Sequence, residues 1–137
     1  MEYLVGIFTA VALAVFSRTS GFEKDRSFYP TVLIVIGFLY VVFGTIDGRF
    51  SVILIELFFA LVFSSAAVIG YRTSCMIVGG GIAMHGVFDF VRHFFIEDKG
   101  VPVFWAGFCG SVDVLLGLYV WFFVCRQQTY VKSGESA

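Results

Sequence analysis

Charged residues are scarce in this 137-residue sequence, where Asp, Glu, Lys and Arg together make up 14% of the chain. The formal net charge is −1 and no run of basic residues occurs, which excludes a nucleic-acid-binding protein. Apolar residues make up 59% of the chain, including 18 phenylalanines, and the mean hydropathy is +0.94. A soluble domain of this length has too little interior to bury so much apolar surface. The composition therefore predicts an integral membrane protein in contact with a lipid bilayer.

Proline is also rare, with two residues, and the apolar runs are long. Five apolar segments approach the roughly 20 residues that a helix needs to cross a bilayer, and none alternates with the period of two that a membrane β-strand requires. The sequence predicts an all-α polytopic membrane helix bundle with spans at about 2–17, 29–47, 51–70, 75–96 and 103–125. Residues 1–126 then form a single transmembrane domain, and residues 127–137 form a short polar tail.

The basic residues divide unequally between the two ends of the predicted helices. Six lie at one end: Arg18, Lys24, Arg26, Arg72, Arg126 and Lys132. Three lie at or near the other: Arg49, Arg92 and Lys99. The positive-inside rule places the C-terminus in the cytoplasm and the N-terminus outside, in a plasma or inner membrane. Cys75 and Cys125 then lie at cytoplasmic helix ends, where we expect reduced thiols.

Ionisable residues interrupt the apolar spans, and they are concentrated in the outer half. At 1.5 Å per residue, His85 and Asp113 lie level with each other near the middle of the membrane, whereas Glu56 and Asp89 lie closer to the outer surface. Small residues share their helical faces, as at membrane helix contacts. No charge interrupts the cytoplasmic half of the last three spans. Because a charge at the bilayer centre costs ~2.5–3.5 kcal/mol, the set predicts an outward-facing polar pocket.

The spacing of His85, Asp89 and His93 is four residues at each step, so each adjacent pair shares a helical face, as do histidine pairs that bind zinc. The two histidines are ~12 Å apart along the axis, too far to share one ion with bonds of ~2.0 Å. An ion would therefore need Asp89, one histidine and groups from other helices. Imidazole with carboxylate suits zinc, iron or manganese. We predict a site for a divalent transition metal or small polar ligand formed by Glu56, His85, Asp89, His93 and Asp113, with Asp47, Arg92 and Cys109 as secondary residues.

Three alternative functions stay open. The ladder of histidine and aspartate on the fourth span could serve a proton-coupled transporter. A carboxylate and histidine pair could act as acid and base in a membrane-embedded enzyme acting on a lipid or isoprenoid, although no Gly-x-Ser-x-Gly motif or phosphate-binding loop is present. Phenylalanine-rich helix faces could also contact a second copy or a membrane partner in a structural assembly subunit. The sequence does not decide whether the protein is an enzyme.

Overall fold

The computed structural model describes residues 1–135. Its α-helices are α1 (Glu2–Ser20), α2 (Phe28–Asp47), α3 (Phe50–Arg72), α4 (Cys75–Val91), α5 (Trp105–Tyr119) and α6 (Cys125–Glu135). Short 3₁₀ helices follow α1 at Phe22–Lys24 and α4 at Arg92–Phe94, and a π-helical turn at Val120–Val124 joins α5 to α6. No strand occurs in the described part of the chain. The prediction of an all-α helix bundle is confirmed.

Five helical segments within residues 1–135 are long and apolar enough to cross a membrane: Glu2–Ser20, Phe28–Asp47, Phe50–Arg72, Cys75–Phe94 and Trp105–Glu135. They correspond one to one with the predicted spans. In the last segment the helix passes the predicted end of the span at residue 125 and continues through Glu135. Between 17% and 44% of each apolar window is buried inside the bundle. The remaining apolar surface is therefore available to lipid.

Helix α4 lies at the centre of the bundle. It packs most extensively on α5 and also contacts α3 and α2, while α2 packs on α3 and α1 packs on α5. The turn from α2 to α3 takes only two residues because Gly48 ends α2 in the left-handed conformation, with φ of 82°. At the start of α4, the side chain of Ser74 accepts a hydrogen bond from the backbone N–H of Met76. The helix contacts place α4 between the α2–α3 pair and the α1–α5 pair.

Glycines allow α4 and α5 to approach each other closely. A Cβ atom on Gly86 would lie 2.6 Å from the backbone nitrogen of Val114, and one on Gly117 would lie 2.7 Å from the Cα atom of Ala83. Neither site has room for a side chain, as expected where membrane helices pack backbone to backbone. The predicted packing faces are confirmed on α3, α4 and α5 by buried residues that include Glu56, Ala60, Ala67, His85, Asp89, Gly110, Asp113 and Gly117.

A disulfide joins Cys75, the first residue of α4, to Cys125, the first residue of α6, with their Cα atoms 5.5 Å apart. Our expectation of two reduced thiols is therefore wrong. Fifty residues separate the two cysteines in the chain, and they meet because α5 and the π-helical turn run back along α4. Cys109 is the one free cysteine among residues 1–135.

Candidate functional site

A cluster of three ionisable side chains lies between α4 and α5. The Nδ1 atom of His85 is 2.9 Å from Oδ2 of Asp113 and 3.6 Å from Oδ2 of Asp89. The residues are 2%, 3% and 0% exposed, respectively. One possible metal-ligand atom from each lies within 4.8 Å of those from the other two. We call these three residues the His–Asp cluster.

The close contact of α4 with α5 positions the cluster. His85 and Asp89 are one turn apart on α4 and therefore share a face. Beside them, Gly86 leaves the backbone of α5 so close that a Cβ would come within 2.8 Å of the carbonyl oxygen of Gly110. Asp113 lies one turn further along α5 and consequently reaches His85 directly. The prediction that His85 and Asp113 are level with each other in the bundle is confirmed.

Aromatic rings surround the imidazole of His85. The Phe63 ring meets it edge-on at 4.8 Å between centroids, and the rings of Tyr40 and Phe88 lie at 6.0 and 6.1 Å. These rings keep water away from the cluster, so electrostatic interactions within it are stronger than at a solvated surface. All three cluster side chains are sealed from solvent in this conformation.

The hydrogen bonding of the cluster is incomplete. Neither carboxylate oxygen of Asp89 makes a well-aligned hydrogen bond, and neither does the buried hydroxyl of Tyr40. The Tyr40 hydroxyl and the Asp113 carboxyl both lie near the Asp89 carboxyl. Leaving a buried polar group unpaired costs roughly 1–3 kcal/mol, and more for a charged group. Asp89 therefore needs a proton, a water molecule or a cation to be satisfied.

A second charged layer covers the cluster on the side of the α4–α5 connection. Arg92 forms an ion pair with Glu56, and its Nη2 atom is 3.6 Å from Oδ2 of Asp98. The guanidinium carbon of Arg92 lies 3.9 Å from the centroid of the Tyr40 ring, a cation–π contact. Arg92 and Glu56 are 4% and 1% exposed. The ring of Tyr40 thus contacts both His85 and the Arg92 layer.

Asp47 has a different role from the one its sequence position suggested. Its carboxylate accepts two hydrogen bonds from the Arg49 guanidinium, at 2.6 and 2.9 Å, and one from the backbone N–H of Lys99 at 2.7 Å. Arg49 also donates to the carbonyl oxygen of Glu97 at 2.5 Å. The hydrogen bonds with Asp47 raise the pKa of the Arg49 guanidinium. Asp47 therefore connects the α2–α3 turn, through these hydrogen bonds, to the loop that carries Asp98.

The remaining predicted site residues lie outside the His–Asp cluster. His93 is exposed in the 3₁₀ helix after α4, with its ring 4.0 Å from that of Phe94. Glu56 contacts Arg92 rather than the cluster. Cys109 is partly buried one turn before Asp113 and interacts electrostatically with it. Of the five predicted ligands, the structure brings together His85, Asp89 and Asp113.

The sequence analysis missed two groups of polar residues. Tyr40 lies on the same face of α2 as Gly37 and Gly44, and this position could have identified it as buried. At the opposite end of the bundle, Glu23 accepts a 2.7 Å hydrogen bond from the Tyr119 hydroxyl, and Ser17 pairs with Tyr29 at 2.8 Å. Glu23 lies in the short 3₁₀ helix after α1, so the pattern of the spans could not have predicted that it folds back onto α5. That half of the last three predicted spans carries no charge of its own, but Tyr119 pairs there with a carboxylate from outside the spans.

The donor set of the cluster is one imidazole nitrogen and carboxylate oxygens, a combination that binds zinc, iron or manganese. The same set can hold and transfer a proton, because imidazole accepts at one nitrogen while donating at the other. Comparison of the chain with protein-family models, curated proteins and solved structures finds no match.

Proposed function

We propose that this integral membrane protein binds one divalent transition metal ion, with His85, Asp89 and Asp113 as ligands. The observation that carries the proposal is one imidazole nitrogen and two carboxylates buried together, with one possible ligand atom from each residue within 4.8 Å of the others. A bound cation would satisfy both carboxylates. A water molecule or small polar ligand could complete its coordination.

The spacing of the possible ligand atoms supports this proposal. Two ligands bonded to tetrahedral zinc at about 2.0–2.1 Å lie roughly 3.4 Å apart. The Nδ1 atom of His85 lies 2.9 and 3.6 Å from the two aspartate oxygens, on either side of that value. Small rotations of the aspartate side chains would therefore suffice to admit an ion. Zinc, iron and manganese all accept this ligand set.

Charge balance favours a divalent ion. One neutral imidazole with two carboxylates carries a charge of −2, which an ion of charge +2 neutralises. Burying net charge in a low-dielectric interior is costly, so a neutral assembly is the stable one between these helices. The neighbouring pair of Arg92 and Glu56 balances itself and leaves the charge of the cluster unaltered.

The excess of basic residues near residues 18–26, 72 and 126–132 supports an orientation with the C-terminus in the cytoplasm and the N-terminus outside, in a plasma or inner membrane. In that orientation the Arg92 layer lies between the cluster and the outer surface. An ion would enter from outside, past Arg92 and Tyr40, when the loop carrying Asp98 moves. In that orientation the proposed site would face outward, and its three residues are sealed from solvent in the conformation described above.

The metal content of the purified protein tests the proposal, with a matched pair of histidine variants. Wild type and His93→Asn, in which the exposed histidine is replaced, should each contain about one ion per chain, whereas His85→Asn should lose it. Purification without chelator, loading with zinc, iron or manganese in turn and elemental analysis provide the measurement. A content below about 0.1 ion per chain in wild type under all three conditions would reject the metal site.

Proton transfer is the second candidate, supported by the hydrogen bond between His85 and Asp113 and by Asp89 beside the same imidazole. Leu116, a buried apolar residue, lies between Asp113 and the hydrogen-bonded Tyr119 along α5, so a relay would require this segment to move. Proteoliposomes containing a pH-sensitive dye separate the two candidates. Metal-independent proton flux that is abolished by Asp113→Asn would favour the relay over the metal site.

A further inference from the structure

The disulfide between Cys75 and Cys125 lies at the basic end of the bundle, which we define as the end that carries Arg18, Lys24, Arg26, Arg72, Arg126 and Lys132. The two features favour opposite compartments. An excess of basic residues favours the cytoplasm, whereas permanent disulfides belong to oxidising compartments. Disulfides that do form in the cytoplasm are transient and take part in catalysis or redox sensing. A bond that forms and breaks accounts for both features.

We propose that Cys75 and Cys125 form a reversible redox clamp at the cytoplasmic end of the contact between α4 and α5. The clamp stands apart from the proposed metal site, because the two cysteines are ten and twelve residues from His85 and Asp113 along their helices. It rests on the position of the bond, the charges around it and the packing beside it. None of these requires a bound ion.

The two sulfurs differ in accessibility. Cys75 is partly buried and lines a shallow cleft with Asp25, Arg26 and Tyr71, whereas Cys125 is 5% exposed. Because Cys75 is the more accessible sulfur, a small thiol in the cytoplasm would meet it first. Cys75 is also the first residue of a 17-residue helix, and helix N-termini stabilise a thiolate, which favours Cys75 as the attacking thiolate when the bond forms again.

The exchange chemistry is balanced. A low-molecular-weight thiolate attacks the Cys75 sulfur, the bond between the two protein sulfurs breaks, and Cys125 leaves as a thiolate that takes up a proton. A second small thiolate then attacks the small-molecule sulfur of the mixed disulfide, and Cys75 leaves as a thiolate that takes up a proton. The products are two protein thiols and one small disulfide. The protein disulfide is reduced by two electrons, and the two small thiols are oxidised. The reverse reaction, with a small disulfide as oxidant, closes the clamp.

The clamp holds a tight and irregular part of the bundle. Four residues beyond Cys75, a Cβ on Gly79 would lie 3.0 Å from the backbone nitrogen of Trp121, within the π-helical turn at Val120–Val124. Turns of this kind are rare and are often found at functional sites. The turn ends directly at Cys125. Opening the disulfide removes the covalent link between α4 and this turn, and we expect the turn to become more mobile.

Thiol trapping in intact cells tests the reversibility. The full chain carrying Cys109→Ser, which removes the third cysteine, is quenched with acid and alkylated with a heavy maleimide. We expect dithiol and disulfide forms together in unstressed cells, a shift toward disulfide after a thiol oxidant and a shift toward dithiol after a permeant reductant. Permeant maleimide should label the reduced protein in intact cells, whereas impermeant maleimide should not.

Three results would overturn the clamp. The first is a disulfide that is complete in unstressed cells and resists the reductant. The second is labelling by the impermeant reagent from outside, which would make the bond a structural one on the oxidising side of the membrane. The third is the absence of any disulfide after oxidation.

Hydrogen exchange measures the effect of the clamp on the fold without reference to metal. On reduction of the purified protein, amides of residues 117–125 should exchange at least about 10-fold faster, because local opening becomes easier. The double variant Cys75→Ser/Cys125→Ser should show the fast exchange with and without reductant. Equal protection in oxidised and reduced wild type would contradict the clamp. Failure to bind metal in both states would reject the proposed function and leave this result standing.

Discussion

The imidazole of His85 on α4 lies 2.9 Å from the carboxylate of Asp113 on α5, a contact between residues 28 positions apart in the chain. Both residues are at least 97% buried. The contact crosses the tightest helix pair of the bundle, next to Gly86. Asp89, one turn from His85, makes no well-aligned hydrogen bond of its own. Because each of the three residues makes a defined contact, single substitutions can test its part in the proposed metal site.

Asp113→Asn should weaken metal binding by at least about 100-fold, because the amide oxygen replaces a charged ligand in a buried site. The fold should survive, since the substitution preserves the shape of the side chain and removes a buried charge. Titration calorimetry with the metal identified by elemental analysis gives the affinity. Asp25→Asn, at an exposed loop carboxylate, is the control and should bind as wild type does. Equal affinities for the two variants would remove Asp113 from the site.

Tyr40→Phe should separate binding from stability. The Tyr40 hydroxyl is buried and makes no well-aligned hydrogen bond, so its removal should leave the thermal midpoint unchanged or slightly higher. Metal affinity should fall about 10-fold if the hydroxyl orients Asp89 when the ion is bound. Both quantities can be measured on one detergent-solubilised sample. A lower midpoint with unchanged affinity would show that the hydroxyl is only structural.

Gly117→Ala should destabilise the protein by about 1–3 kcal/mol, because the new methyl group overlaps the backbone of Ala83 on α4. Since α4 and α5 would separate, metal binding should weaken as well. Gly134→Ala provides a matched control, because a Cβ there has no atom within 4 Å and alanine favours the helix. Thermal unfolding in detergent gives the comparison. Similar midpoints for the two variants would mean that the helix contact is looser than the structure indicates.

Much of the fold could be predicted because membrane helices are encoded locally. Long apolar runs mark the spans, and the small residues near His85 and Asp113 indicate which faces pack together. From these faces and the rise per residue, the level contact of the two side chains follows. The sequence could not show that His93 falls beyond the end of α4 in an exposed 3₁₀ turn. That depends on where the helix stops, which a spacing of four residues does not encode.

The sequence also could not predict contacts made through loops. Nor could it predict which of several possible partners a side chain pairs with. Glu56 and Asp89 lie at similar depths, yet Glu56 pairs with Arg92 because the 3₁₀ turn after α4 directs that guanidinium toward α3. Depth alone leaves such pairings open. The bond between Cys75 and Cys125 likewise depends on the π-helical turn, which adjusts the position of Cys125 at the start of α6. No periodic pattern in the sequence predicts that turn.

The pair of Arg92 and Glu56 predicts unequal effects of its two single substitutions. Arg92→Met leaves Glu56 buried without its cation and should cost about 3–5 kcal/mol. Glu56→Gln should cost less, since Arg92 keeps Asp98 at 3.6 Å and the ring of Tyr40 at 3.9 Å. The double variant should be no less stable than Arg92→Met alone. The summed losses of the two single variants should therefore exceed the loss of the double variant by a coupling energy of about 1–3 kcal/mol. Unfolding of all four proteins in the same detergent gives the cycle, and additive losses would show that the two residues do not act as a pair.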